Sequence, residues 1–467
     1  MSSAHLGVHD LRAQLRTGAL TSVALAHELI ERTNAQHHLH GYVVFDEEKL
    51  LKQAADADAR LAAGVDLPLL GVPVALKDNI DSVDFPSSAG AERLMGAVPV
   101  ADADVTLRLR AAGALIAGKA NMHELAFGIT TDNHVTGQAC NPWNAERIPG
   151  GSSGGSGVVV AAGMVPASVG TDTGGSVRVP AALCGLVGLR PTVGRVSGKG
   201  IAPISTTRDT AGPMARSVAD CALLDSVMTG TSAALPNVSL AGLRLGIPEN
   251  LFWEDLDQGV RSVAESAVER LCVAGAHLVS VALPSVSELN AGAGFPIALY
   301  EFVRDMKDYL YYAKRGVTIE ELVAGVKSPD VKAIVTPLLQ DGAISESGYR
   351  QALLTRTRLQ EMYAQAFMTY GIQALVFPTT PVVAAKTSEK TEVVLNGKAQ
   401  PLFPTFIRNT DPGSNAGLPG LTLPVGLSEG MPVGLSLDGL PGSDRMLLAL
   451  GLEIEKLFPA VSAPWMR

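Results

Sequence analysis

Between Asn141 and Pro213 the chain is crowded with Gly, Ser, Thr and Pro yet has no repeated unit, and no other feature constrains the fold as much. Two stretches, Gly150-Gly-Ser-Ser-Gly-Gly-Ser156 and Gly170-Thr-Asp-Thr-Gly-Gly-Ser-Val-Arg-Val-Pro180, flank an apolar, helix-like run. A linker of this composition would be low in complexity, and this one is not. Glycine-rich loops with a defined order let backbone N–H groups face a ligand without side-chain obstruction. The longest apolar stretch, Gly157 to Gly170, is too short to span a bilayer and contains Pro166.

The remaining chain bounds the class of protein. At 467 residues, with 47% apolar and 18% charged residues, it can bury a large core. Net charge is −9 and no Lys/Arg-rich block stands out, which argues against nucleic acid or an anionic membrane as partner. The cysteines Cys140, Cys184, Cys221 and Cys272 lie far apart with no C-x-x-C pair. Buried thiols of a cytoplasmic protein are expected from that spacing, with neither a disulfide framework nor a metal site. Met1 to Arg16 contains no apolar segment of the secretory type.

Strand-like and helical segments alternate along the chain. Thr21–Ser22 can cap a helix to about Thr33, and Asp46 can start another that ends near Gly64. Gly71 to Lys77 reads as a buried strand ending in a lysine. Asp104 is expected to cap a helix to about Ala112, followed by a strand at Ala114–Gly118, and Asn121 and Glu124 have capping-box spacing for a further helix. Beyond the glycine-rich segment come strand Leu243–Ile247, a helix from Asp257 to Val273, strand His277–Val281, a helix over Gln351–Tyr370 and strand Ala374–Phe377. The alternation predicts an α/β fold, a large mixed central β-sheet with helices on both faces.

A hydroxyl attacks a carbonyl only if something takes its proton and something stabilises the oxyanion. Gly174-Gly175-Ser176 places a serine directly after two unobstructed amides. Lys77-Asp-Asn-Ile-Asp81, Pro149-Gly-Gly-Ser-Ser-Gly-Gly-Ser156 and Gly170 to Pro180, in that order, resemble the three hallmark blocks of the amidase signature family. Cys184 to Thr192, Phe377-Pro-Thr-Thr-Pro381 and Asn415 to Gly426 resemble its later blocks, so the likeness covers most of the chain. The resemblance implies the amidase signature fold as one domain over residues 1–467, with an N-terminal helical segment over 1–65 and a catalytic core over 70–225.

It also implies roles. Ser176 would be the nucleophile, and Ser152, following a cis peptide bond from Gly151, would relay the proton to neutral Lys77. The amides of Thr173, Gly174, Gly175 and Ser176 would form the oxyanion hole, and Phe127, Gly128 and Ile129 match the segment lining the acyl pocket. No metal or cofactor is implied. An unperturbed lysine leaves roughly one molecule in 2,500 neutral at pH 7, so the base needs its pKa lowered by about 3 units. The apolar run Val72–Leu76 offers desolvation, while Asp78 and Asp81 would raise the pKa if they lie close.

Other polar residues have structural readings. Gly151-Ser-Ser-Gly-Gly155 fits G-x-S-x-G centred on Ser153, but a Ser-His-Asp arrangement needs a later histidine and only His277 follows. His37, His38 and His40 read as solvated, His123 and His134 as hydrogen-bonded structural residues, and Arg178 with Asp172 as braces of the nucleophile loop.

The blocks Asn121–Thr130, Asn141–Asn144 and Pro203–Thr210 are most similar to those of indoleacetamide hydrolases, then of mandelamide hydrolases. A small aromatic or apolar amide is the substrate this implies. A urethanase acting on aryl carbamates, or an anilide or ester hydrolase, would carry the same catalytic blocks. The amidase subunit of a tRNA-dependent amidotransferase would carry them too, with an acidic residue seven positions before Asn415 for the amino group of glutamine. Arg408 stands there. A small-molecule partner is therefore expected, with nucleic acid and membrane excluded and a homodimer left open.

Overall fold

The computed structural model describes residues 3–459. Strands from Tyr42 to Asp438 join one eleven-stranded mixed sheet. In spatial order they are Tyr42–Phe45, Leu115–Ala120, Pro73–Lys77, Ala167–Asp172, Thr210–Ala215, Val187–Arg190, Gly420–Ser428, Met431–Asp438, Ala374–Pro378, Arg244–Pro248 and His277–Val281. Pro73–Lys77 runs parallel to both its neighbours, and Ala167–Asp172 is antiparallel to Thr210–Ala215.

Alternation along the inner strands separates two cores. Val74, Leu76, Ile116, Ala167 and Val169 face one apolar cluster, which takes residues from the helices Asp104–Ala111, Val218–Thr229, Gln258–Val273 and Asp444–Glu455. Ala75, Leu115 and Ala117 face the other, built on the helices Ser22–Ala35, Glu47–Ala62, Gly154–Ala161 and Arg178–Cys184. Both faces of the sheet are thus covered, as the sequence pattern predicts.

Local signals explain most boundaries. The Thr21 side chain accepts from Ala24 N, Asp46 from Lys49 N, and Asp257 from Gly259 N and Val260 N, each at a helix N-terminus. Strand His277–Val281 coincides with its expectation, and the helix expected over Gln351–Tyr370 starts earlier, at Glu346.

Four expectations are corrected. Asp104 is the first residue of its helix, not its cap, and its carboxylate accepts from Ser197. No helix starts at Asn121: Glu124–Ala126 is a single 3₁₀ turn, with Leu125 and Ala126 at φ 51° and 63°. The two capping residues are engaged elsewhere, Asn121 Oδ1 by Thr136 and Glu124 by the amides of Lys327 and Ser328. The apolar run beyond Gly157 divides into the end of helix Gly154–Ala161 and the buried strand Ala167–Asp172. Of the cysteines, only Cys184 and Cys221 are buried; Cys140 is half-buried and Cys272, on the outer side of its helix, is exposed. Among the described residues no helix is long and apolar enough to cross a membrane.

Candidate active site

Lys77 ends a strand whose five residues are all buried. Its Nζ lies 2.8 Å from Ser152 Oγ and 2.8 Å from Thr171 Oγ1, and no carboxylate comes within ion-pair distance of it among the described residues. Burial pushes its pKa down to about 7, against a pull upward from Asp209 and Asp172. The acids expected to exert that pull, Asp78 and Asp81, turn instead towards Lys119 and Arg315.

The peptide bond between Gly151 and Ser152 is cis. The following helix, Gly154–Ala161, starts against backbone: a Cβ at Gly155 would lie 2.4 Å from both Asn121 N and Asn121 O. Only glycine lets the serine loop seat this deeply, and Ser152 and Ser153 are both fully buried. Ser153 is not free to react. Its hydroxyl donates to Thr171 O at 3.1 Å and accepts from Thr171 N at 3.3 Å, tying the loop to the end of the adjacent strand.

Thr171–Asp172 closes that strand and leads into the nucleophile loop. Asp172 is the loop's anchor: it accepts from Val177 N at 3.1 Å and from Arg178 Nε at 3.2 Å, and pairs with Arg190 Nη1 at 2.9 Å. Burial would raise its pKa, but Arg178 and Arg190 outweigh burial and hold it well below the carboxylate range. Arg178 also donates to Thr410 O and Ser414 Oγ, fastening the loop to the C-terminal segment. Gly175 adopts φ 139°, and a Cβ there would lie 2.1 Å from Thr410 Oγ1. Among the described residues no acceptor is found for the amides of Gly174, Gly175 and Ser176. These N–H groups are available to an oxyanion.

Ser176 opens on a cavity that Thr173 and Gly174 line beside it. Apolar walls come from Ala126, Phe127, Ile204 and Ala298, which share one cluster, and from Phe295, Phe403 and Ile407. Phe127 is held edge-on to Phe302 at a centroid distance of 4.8 Å. The two polar wall residues, Arg208 and Asp411, are bonded to each other at 2.5 Å; Asn290 Nδ2 donates to the second carboxylate oxygen at 2.8 Å. Arg208 also donates to Gly294 O at 2.6 Å and to Thr173 O at 3.2 Å.

Of the three residues expected in the acyl pocket, Phe127 lines the cavity. Gly128 packs against the His123 ring, and Ile129 lies behind Gly151 in a cluster with Trp143 and Ile148. His37, His38 and His40 are exposed, and His123 is buried with its Nε2 3.0 Å from Asp330. Thr171, the second partner of Lys77, and the Arg208–Asp411 pair were not singled out from sequence. Both sit inside or beside recognised blocks, but their pairing partners are far away in the chain.

The chain as a whole matches a known protein family. The family model described as Amidase matches residues 24–448. The chain belongs to the amidase family. It is 43% identical to an indoleacetamide hydrolase of Rhizobium radiobacter, with 92% of each chain covered. A mandelamide hydrolase of Pseudomonas putida is 41% identical over 97% of this chain and 91% of the relative. Among solved structures, the peptide amidase of Stenotrophomonas maltophilia superimposes with a TM-score of 0.87 at 31% identity, covering 99% of both chains. This amidase is accordingly an enzyme that hydrolyses amides.

Proposed function

We propose that this amidase hydrolyses neutral amides with an aromatic acyl group, of the arylacetamide type, through an acyl-enzyme on Ser176. One observation carries the catalytic part: Lys77 touches only hydroxyls and has a pKa near 7. An amine in that state can accept a proton at neutral pH, whereas a lysine paired with a carboxylate would keep its own. Ser176 Oγ attacks the carbonyl carbon as its proton passes through Ser152 to Lys77, and the free amides of Gly174, Gly175 and Ser176 receive the oxyanion. The proton returns to the departing nitrogen as the C–N bond breaks, releasing ammonia. Water then attacks the ester, and its proton restores Ser176.

The substrate class rests on the cavity walls. Each Å² of apolar surface moved out of water contributes about 25 cal/mol, so an aryl group gains a few kcal/mol over the methyl of acetamide. Among the described residues Asp411 is the one carboxylate lining the cavity, and Arg208 and Asn290 already bond to its oxygens. A substrate ammonium would find no unpaired acid and would lose its hydration at several kcal/mol. Arg408, at the position expected to carry the glutamine-binding acid of an amidotransferase subunit, points away and donates to Glu254 O at 2.7 Å. The names of the two curated relatives specify aromatic amides, in the same direction.

The test is a competition of indole-3-acetamide, mandelamide, acetamide and glutamine, scored by kcat/KM. The aromatic amides should lead by at least tenfold over acetamide, with glutamine last, and Ser176→Ala should retain less than a few per cent of kcat. Preference for glutamine would move the assignment to the amidotransferase class. Aryl carbamates and aryl esters of the same acyl group belong in the same series, since the triad accepts any of these carbonyls.

A further inference from the structure

The segment from Pro203 to Asp209 has two faces. Ile204 and Arg208 line the cavity in front of Ser176, while Pro203, Thr206 and Asp209 line a second cavity behind it, of about 280 Å³. Thr171, whose hydroxyl lies 2.8 Å from Lys77 Nζ, is among the residues lining this rear cavity. It adjoins a larger surface cavity of about 490 Å³, and Gly198, Ile201, Pro203 and Thr206 line both. The outer rim carries charged groups, among them Lys199, Arg304 and Asp308.

We infer that these two cavities form a rear passage through which water reaches the catalytic base and the acyl-enzyme while the acyl group fills the front cavity. The inference rests on the acyl-enzyme reading given above. An aryl group bound at Ser176 displaces solvent from the apolar front, yet each turnover consumes one water. The rear route reaches a partner of the catalytic base without crossing the front cavity, and Thr171 and Asp209 give water polar groups to bond on the way. Asn79 Nδ2 is 3.2 Å from Thr171 Oγ1, while its Oδ1 is buried with no partner among the described residues. A buried, orphaned carbonyl on a residue bonded to Thr171 is the kind of group that ordered water satisfies. In deacylation the water oxygen bonds to the acyl carbon and the bond to Ser176 Oγ breaks. One water proton passes by Lys77 and Ser152 to Ser176 Oγ, and the other stays on the carboxylic acid released.

Gly198 gives a clean test, because a Cβ there meets nothing within 4 Å and its φ lies outside the left-handed region. A series of Gly198→Leu and Gly198→Trp would narrow the shared throat without strain. An aryl ester with a chromogenic leaving group acylates Ser176 in a burst, and decay of the adduct is then followed by intact-protein mass spectrometry. The expected result is an acylation rate within twofold of wild type, with adduct decay slowed about threefold in the leucine variant and tenfold or more in the tryptophan variant. Unchanged decay in a Gly198→Trp protein of wild-type Tm would overturn the passage. Absence of any adduct on Ser176 in wild type would overturn the acyl-enzyme reading instead, and the passage with it.

Discussion

Two lysines are fully buried on adjacent strands of the sheet, and their surroundings differ in one respect. Lys77 pairs across the parallel ladder with Ala120, and its neighbour Leu76 with Lys119. Lys119 Nζ donates to Ile80 O and Ser87 Oγ, with the Asp78 carboxylate 3.9 Å away. Lys77 has the hydroxyls of Ser152 and Thr171 and no carboxylate in contact. Burial lowers both pKa values, to about 8 for Lys119 and about 7 for Lys77. Ile80 O only accepts and the Ser87 hydroxyl already donates to it, so Lys119 is held as a donor. A hydroxyl can donate as well, so Lys77 can lose its proton and keep its hydrogen bond. The partner atoms, more than the depth of burial, separate the structural lysine from the base.

Replacing each lysine should therefore give opposite results. Lys77→Met should lower kcat/KM by about 10³-fold or more, since a general base contributes up to about 10⁴. It should also raise Tm. Holding a lysine at about 7 when its ordinary value is 10.5 disfavours the folded state by roughly 4 kcal/mol at pH 7. The folded protein binds fewer protons than the unfolded chain between those values, so wild-type stability rises with pH there and the advantage of methionine shrinks above pH 7. Lys119→Met should instead destabilise, because Asp78 is left buried without its cation. The loss should be less than the ~3–5 kcal/mol of an ordinary broken pair, since the lysine's own burial cost is relieved; the folded fraction keeps most of its activity. Thermal melts across pH 6–9 with turnover assays separate the two; a Lys119→Met protein that is inactive when folded would erase the distinction.

The pairing of Lys119 with Asp78 can be tested within itself. Burial raises the pKa of Asp78, and Lys119, the Ser88 hydroxyl and the amides of Gly90 and Ser88 pull it back. Asp78→Asn alone should destabilise by about 2–3 kcal/mol, and combined with Lys119→Met it should recover part of the loss of either single change. Additive losses in chemical denaturation would mean that the two groups do not act as a pair.

The two lysines also differ in how legible they were. Lys77 lay at the end of an apolar run inside an ordered set of blocks, so its position and the neighbouring glycine-serine loops could be recognised before any coordinates. Lys119 sits in a strand with no sequence mark to distinguish it. Whether Asp78 lies close to Lys77 has no sequence mark either: the acid follows the strand in a turn, and its carboxylate faces Ser88, Gly90 and Lys119. Local capping residues mark the helices Ser22–Ala35, Glu47–Ala62 and Gln258–Val273, whereas the 27-residue helix Val286–Tyr312 has no such mark, since Gly292, Gly294 and Pro296 interrupt its pattern. That helix supplies Phe295 and Ala298 to the cavity, and helix Leu402–Ile407 supplies Phe403 and Ile407, so four of its seven apolar wall residues come from segments with no motif. Tertiary packing brings them to Ser176, and packing leaves no local signature.

The smallest expected effect concerns the acids that act on Lys77 from a distance. Asp209 is the larger of the two, followed by Asp172. Asp172 anchors the nucleophile loop and cannot be changed without disturbing it, but Asp209 offers a gentler change. Its carboxylate accepts from Thr173 Oγ1 at 2.6 Å and from the amides of Ile204 and Ser205 at 2.8 and 2.9 Å. Burial pushes its own pKa up to about 6 against those hydrogen bonds. In wild type kcat/KM should rise with pH through about 7, as Lys77 becomes neutral, and then level off. Asp209→Asn removes a negative charge that favours the protonated lysine, so the limb should move to lower pH by less than about one unit, with the alkaline plateau within a few fold. It should also become a single titration, because no acid near pH 6 remains coupled to the base. Asp81→Asn is the matched control: that acid is pushed up to about 6 by burial but is bonded to Tyr309 and faces Arg315 and Lys119. Its removal should leave the limb where it is. A limb that moves equally in both variants would mean that Lys77 feels the summed charge of the region and not Asp209 in particular.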